Sequence, residues 1–204
     1  HNRGKVHYQL KDYAAAIADF QRALELNPNL EQAQEQLELA RKTQSGESTH
    51  QEQQSEKEDA VSPGDMGYAM DRIEVYNAYL NLHPKDLNAR FHRAEAKEKT
   101  GNIQGAIKDY SKILDLEPSI YQAYYQRGRL KYQTGNFEQA IKDFGLAIRY
   151  RSGYAGAYNF RGECHLKLER FSKAISDFSR AIEMNDDFYQ AYNNRGEAYM
   201  ERKE

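Results

Sequence analysis

The chain has 204 residues, with 29 Lys and Arg against 31 Asp and Glu for a net charge of -2, 16 Tyr, no Trp and a single Cys. That balance gives no general attraction for phosphate backbones or anionic lipid, so neither a nucleic acid nor a membrane is expected as partner. No run of about eighteen apolar residues suggests a membrane span, and one cysteine excludes an internal disulfide framework.

Residues 1–28 carry Gly4, Ala16, Phe20, Ala23 and Pro28, a spacing that returns further along the chain. Residues 31–42 read as one helix with Ala33, Leu37 and Ala40 on one face, and Glu38 stands where a packed repeat would want Gly. Such a helix, apolar on one side and polar on the other, is expected to cap an array. Residues 44–64, QSGESTHQEQQSEKEDAVSPG, hold almost nothing apolar and read as a flexible polar linker. Residues 65–82 form another helix, with Ile73, Tyr76, Tyr79 and Leu80 ahead of Pro84. Pro63-Gly64 interrupts the place of its partner, so this unpaired helix is expected to cover the start of a second array.

Three complete units follow from Leu87, Tyr121 and Ala155, and the first helix of a fourth begins near Tyr189. Ala94, Gly128, Gly162 and Gly196 fall at one spacing of 34 residues, as do Ala106, Ala140 and Ala174, and Tyr110, Phe144 and Phe178. Small residues let two helices approach closely, and an aromatic from the second helix fills the space between them, so each unit predicts an antiparallel helix pair. Gly101-Asn102 and Gly135-Asn136 lie midway, where Gly can end a helix in the left-handed conformation. Pro84 and Pro118 close their units, and Ser152-Gly153 and Asn185-Asp186 replace Pro in the next two. Gly4 and Ala94 are ninety residues apart, which is no multiple of the period, so the chain divides into residues 1–43, the end of a first array, and residues 65–204, a second. The last unit lacks its second helix, which leaves an apolar end around Tyr192 and Tyr199 and an expectation of end-to-end self-association. The chain opens at His1 and stops at Glu204 inside repeats, and is expected to be part of something longer.

These units resemble the tetratricopeptide repeat (TPR) family. Its signature is matched by Tyr124, Gly128, Ala140, Phe144 and Ala147, and again by Tyr158, Gly162, Ala174, Phe178 and Ala181. The resemblance implies an all-α, right-handed α-solenoid of antiparallel helix pairs. The chain departs from the family pattern before the Gly, where Arg3, Arg93, Arg127, Arg161 and Arg195 replace the usual Leu and mark an Arg-Gly subtype. Sixteen residues after four of them stands an acid, giving expected pairs Arg3 with Asp19, Arg93 with Asp109, Arg127 with Asp143 and Arg161 with Asp177.

Catalytic chemistry is not expected. No GxGxxG, Walker loop, HExxH or paired CxxC occurs. Cys164 aligns with Leu130 and Ala198 and reads as a buried core thiol, compatible with a cytoplasmic, reducing compartment. His7 and His165 align with Tyr199 and fill packing positions, so no metal and no cofactor is expected. The resemblance places function on the concave surface, lined by the first helix of each pair, and implies a scaffold that binds a peptide or partner protein. The groove candidates are Asn88, Phe91, His92 and Glu95; Gln122, Tyr125, Gln126, Arg129 and Tyr132; Asn159, Glu163 and Leu166; and Asn193, Asn194 and Glu197. Asn159 and Asn193 are expected to meet a peptide backbone, and Tyr125, Tyr132 and Leu166 apolar side chains. Relatives that clamp a C-terminal carboxylate place basic residues in this groove. Here one row reads Phe91, Tyr125, Asn159, Asn193 and the next Glu95, Arg129, Glu163, Glu197, so an acidic tail is disfavoured. Two alternatives are an arm of a larger enzyme and a helical-repeat RNA binder, the second opposed by the lack of a basic surface.

Overall fold

The computed structural model describes residues 2–45 and 63–202, with side chains at 12–44 and 69–202. Most of the expected linker, and the side chains of Arg3, Gly4 and His7, lie outside the described residues. The described residues form ten helices: α1 (Asn2–Leu26), α2 (Glu31–Ser45), α3 (Pro63–Leu82), α4 (Leu87–Lys99), α5 (Ile103–Leu116), α6 (Tyr121–Gln133), α7 (Phe137–Tyr150), α8 (Ala155–Lys167), α9 (Phe171–Met184) and α10 (Tyr189–Glu201). Helices α4, α6, α8 and α10 start at Leu87, Tyr121, Ala155 and Tyr189, where the period places them. The protein is an all-α solenoid built from antiparallel helix pairs.

The turns inside the pairs follow from backbone chemistry. Gly101 and Gly135 take φ of 74° and 73°, which costs glycine little. In the next unit Glu169 adopts φ 55° without that freedom, at a cost of about 1 kcal/mol. Asp86 and Asn102 then cap the helices that follow, accepting from the Ala89 and Gly105 amides at 2.9 and 3.0 Å.

Contacts group the helices into two compact units. One holds α3 to α7, and the other holds α1 and α2 together with α8, α9 and α10. In the first, α3 packs on α4, buries Ala69 and Leu80 and leaves Met70, Val75, Tyr79 and Leu82 exposed. In the second, α2 buries Ala33, Leu37 and Ala40 against Ala16 and Phe20 of α1, as a capping helix should.

The grouping cuts across the division at residues 44–64, because α1 packs along α10. Helix α1 runs without a turn through Lys11-Asp12-Tyr13, where the other units bend. Lys11 aligns with Gly101 and Gly135, so the residue that makes their bend easy is missing. The last unit is therefore not left open. Tyr199 and Met200 pack against the α1–α2 core, and α1 occupies the place of the second helix beside α10.

Candidate functional site

One layer recurs through the molecule and fixes each first helix on its second. Arg127 donates from Nε and Nη2 to the two oxygens of Asp143 at 2.9 and 2.7 Å, and Lys131 adds a third contact at 2.8 Å. Arg93 and Lys97 hold Asp109 in the same way, and Arg161 holds Asp177 at 2.8 and 2.6 Å. These three pairs are the expected ones. The fourth is not, because Asp19 accepts from Arg195 at 2.8 and 2.7 Å instead of from Arg3. Sixteen residues along one continuous helix separate Arg3 from Asp19 by about 24 Å, beyond side-chain reach. Asp12, about two turns earlier on α1, pairs with Arg202 at 2.9 Å.

Beyond the carboxylate, three of Arg93, Arg127, Arg161 and Arg195 stack on a Tyr and three reach the preceding second helix, with Arg127 and Arg195 doing both. In the stacked set the guanidinium lies over the Tyr three residues before it, at 5.6 Å for Arg127 on Tyr124, 5.4 Å for Arg161 on Tyr158 and 5.6 Å for Arg195 on Tyr192. In the other set Nη1 reaches back sixteen residues to the preceding second helix. Arg93 donates to Asn77, Arg127 to Ser111 and Arg195 to Ser179, at 2.9, 3.0 and 2.9 Å. Arg93, Arg127 and Arg195 thus each tie a first helix to the helices on both sides. The row at this period is Asn77, Ser111, Gly145 and Ser179, small throughout and polar except at Gly145.

Burial raises the Asp109 carboxyl most, but Arg93 and Lys97 together outweigh it and hold the group below its ordinary range. Asp19 is held above its ordinary value, because burial outweighs Arg195. The difference follows from sequence: Tyr199 stands where Lys97 and Lys131 supply a second cation.

Among the groove candidates, three come together. Asn88 and Phe91 of α4 and Gln122 of α6 line a pocket of about 420 Å³, completed by Leu87, Ile113 and Ile120. That volume suits one or two apolar side chains of a ligand. Phe91 is set edge-on to the buried Tyr110, with ring centroids 5.2 Å apart, so the pocket wall is held by the core. Leu87, Ile113 and Ile120 were not among the candidates. Leu87 and Ile120 stand at the starts of α4 and α6, just before Asn88 and Gln122, whereas Ile113 comes from within α5.

The other candidates of that unit are engaged with neighbouring side chains. His92 meets Glu95 at 3.0 Å, and Arg129 donates to Gln126 at 2.6 Å and to Glu98 at 3.4 Å. Burial raises the Glu98 carboxyl above its ordinary value despite Arg129. Tyr125 tilts against Phe144, and Tyr132 against Phe137.

In the unit of α8 to α10 the amides behave differently from expectation. Asn159 and Asn193 are buried, not offered to solvent. The Asn159 amide donates to Glu163 at 2.6 Å and that of Asn193 to Glu197 at 3.0 Å, each an acid one helical turn on. Asn194 bridges to Asn159 and Glu163 at 3.2 Å, and Gln32 of α2 donates to Glu197 at 3.1 Å. Asn193 Oδ1 is buried without a hydrogen-bond partner. Leu166 is half-buried and packs against Ala174, Phe178 and Ala198.

Cys164 is fully buried, and burial pushes its thiol up to about 12. Native chain at pH 8 should therefore leave Cys164 unmodified by a thiol-disulfide reagent over hours and release one equivalent on denaturation. Rapid labelling of the native chain would contradict this placement. His165 is buried and held below its ordinary value by burial, which outweighs Asp177 at 3.9 Å. No helix among the described residues is long and apolar enough to cross a membrane, and no three His, Cys, Asp or Glu among them meet to hold a metal.

Residues 1–30, 87–120, 125–186 and 165–204 match family models described as tetratricopeptide repeat, together more than half of the chain. No curated protein sequence matches it. Among solved structures, a crystal structure of MamA is 23% identical, covers 71% of this chain and 85% of its own, and has a TM-score of 0.63. The first TPR of Spaghetti (RPAP3) bound to HSP90 peptide SRMEEVD is 23% identical over 55% of this chain and 89% of its own, with a TM-score of 0.54. The second TPR domain of human RPAP3 in complex with HSP70 peptide SGPTIEEVD is 21% identical over 53% and 91%, with a TM-score of 0.52. These structures share the fold with the chain. With helix pairs at the 34-residue period, close Gly–Phe packing at Gly128, Gly162 and Gly196 and matched repeats along the sequence, the chain belongs to the tetratricopeptide repeat family.

Proposed function

We propose that this protein is a scaffold that binds an extended, non-acidic peptide, with one apolar side chain of that peptide seated between α4, α5 and α6. The observation that carries the reading is the pocket itself, where Phe91 supplies an apolar wall and Asn88 and Gln122 stand ready to hydrogen-bond a peptide main chain. The protein would act without catalysis of its own, in a cytoplasmic setting that suits a lone buried thiol.

The RPAP3 domains hold peptides that end in Glu-Glu-Val-Asp. In this chain Glu95, Glu163 and Glu197 occupy the row where an acidic tail would need cations, and Arg129 is already met by Gln126 and Glu98. Charge therefore favours a neutral or basic partner.

A random-peptide library panned against the chain, followed by titration of the selected peptides, tests the reading. Selected peptides should share an apolar anchor and lose affinity about tenfold or more against Phe91→Ala, the loss of a central apolar contact. SGPTIEEVD should show no saturable binding. Unchanged affinity for Phe91→Ala, or tight binding of SGPTIEEVD, would overturn it.

A further inference from the structure

The α1–α10 pair joins helices from opposite ends of the sequence: Arg195 reaches Asp19 across 176 positions and Arg202 reaches Asp12 across 190. Every other first helix that meets its Asp finds it sixteen residues on. The contacts are those of an ordinary repeat. A Cβ at Gly196 would lie 2.7 Å from the Phe20 ring, just as one at Gly128 would lie 2.8 Å from Phe144. On α1 the docking set is Ala16, Asp19, Phe20 and Ala23, at the i, i+3, i+4, i+7 spacing of a helix laid into a groove.

Nothing in this interface requires both helices to belong to one chain. The α1–α2 hairpin is connected to the rest of its compact unit only through the chain that forms the other unit. Beside Asp19, as beside Asp177 with its neutral His165, a second full cation is missing. Asp109 is met by Arg90, Arg93 and Lys97, and Asp143 by Arg127 and Lys131, whereas beside Asp19 the second cation is replaced by Tyr199. The sequence further duplicates the partner: Asn2-Arg3-Gly4 repeats Asn194-Arg195-Gly196, so one second helix is matched to two first-helix signatures.

We propose that the α1–α2 hairpin is an exchangeable arm, which docks on α10 of its own chain or, reciprocally, on α10 of a second copy to form a two-fold dimer with the same contacts. The partner is thus a second copy of this chain, and the surface is the face of α10 that bears Arg195, Gly196 and Arg202. This rests on the α1–α10 pair and is independent of the peptide reading. Dilution favours closure within one chain, and rising concentration favours exchange.

Charge reversal separates the two states. Arg195→Asp alone and Asp19→Arg alone each place like charges across every α1–α10 interface, within or between chains, and should run at one-chain mass by light scattering. An equimolar mixture restores opposite charges only between chains and should shift to twice that mass. The double variant should behave as wild type, whose mass rises from one chain towards two with concentration. A mixture that stays at one-chain mass while the double variant is folded by circular dichroism would overturn the proposal. Should the single variants fail to fold, mixing isotopically light and heavy wild-type chains gives an independent reading by native mass spectrometry. Hybrid two-chain species are expected, and their absence at concentrations above the mass transition, or the absence of any transition, would overturn it.

Discussion

Replacing Asp143 with Ala should lower stability by about 3 kcal/mol, because it strips the shared partner from two cations already removed from water. Asp143 is nearly inaccessible, and Arg127 and Lys131 keep only 17% and 16% of their side-chain surface. In the intact protein their contacts at 2.7 and 2.8 Å offset the desolvation of all three groups. Without the carboxylate the two cations repel each other beside the Phe144 layer. The effect should appear as a fall in the urea midpoint at unchanged slope. Substituting the whole set, with Arg127→Met, Lys131→Met and Asp143→Leu, should recover most of the loss, since an apolar triad of similar volume needs no pairing. A midpoint unchanged in Asp143→Ala would mean that the layer is solvated and that the recurring Arg contributes little to the fold.

The second large effect concerns Gly162. A Cβ there would lie 2.6 Å from Cε1 and 2.8 Å from Cδ1 of Phe178. Phe178 is fully buried against Ala174 and Ala198, so its ring has nowhere to retreat. Gly162→Val should therefore destabilise by about 3 kcal/mol through forced separation of α8 and α9. Gly162→Ala should cost less, because Ala is favoured over Gly in a helix by about 1 kcal/mol, and Ala94 already stands at this position opposite Tyr110. Shrinking the ring with Phe178→Leu should relieve Gly162→Val, so that the double substitution is milder than the sum of the two. Strict additivity would place the strain elsewhere.

The sequence disclosed the period, the starts of α4, α6, α8 and α10 and three of the Arg–Asp pairs, because those depend on neighbours within one repeat. It misassigned the fourth pair for a local reason with a long-range outcome. The offset from Arg3 to Asp19 matches the others, but Lys11 replaces the turn glycine, the helix continues, and α10 competes for the same face. No reading of neighbouring residues weighs a partner from the far end of the chain. The candidate site divides in the same way. Asn88 and Gln122 share a pocket because their helix positions are equivalent, with Phe91 one turn on from Asn88, whereas Asn159 and Asn193 turn inward, each bonded to an acid four residues on. Those acids, Glu163 and Glu197, each stand four residues after the Asn, and that spacing is the sign in the sequence that the amides are taken. Ile113 escaped notice because it comes from a second helix, outside the row of first-helix positions.

The central claim is that α10 takes its second helix from α1 by the same pairing that holds every other repeat. A double-mutant cycle tests it directly, with Asp19→Asn combined once with Arg195→Gln and once with Arg3→Gln, each followed by urea unfolding. The account predicts a coupling of about 1 to 3 kcal/mol between positions 19 and 195 and none beyond error between 19 and 3. Coupling of Asp19 to Arg3 with none to Arg195 would contradict it, and would mean that α1 bends at Lys11 into a hairpin of its own.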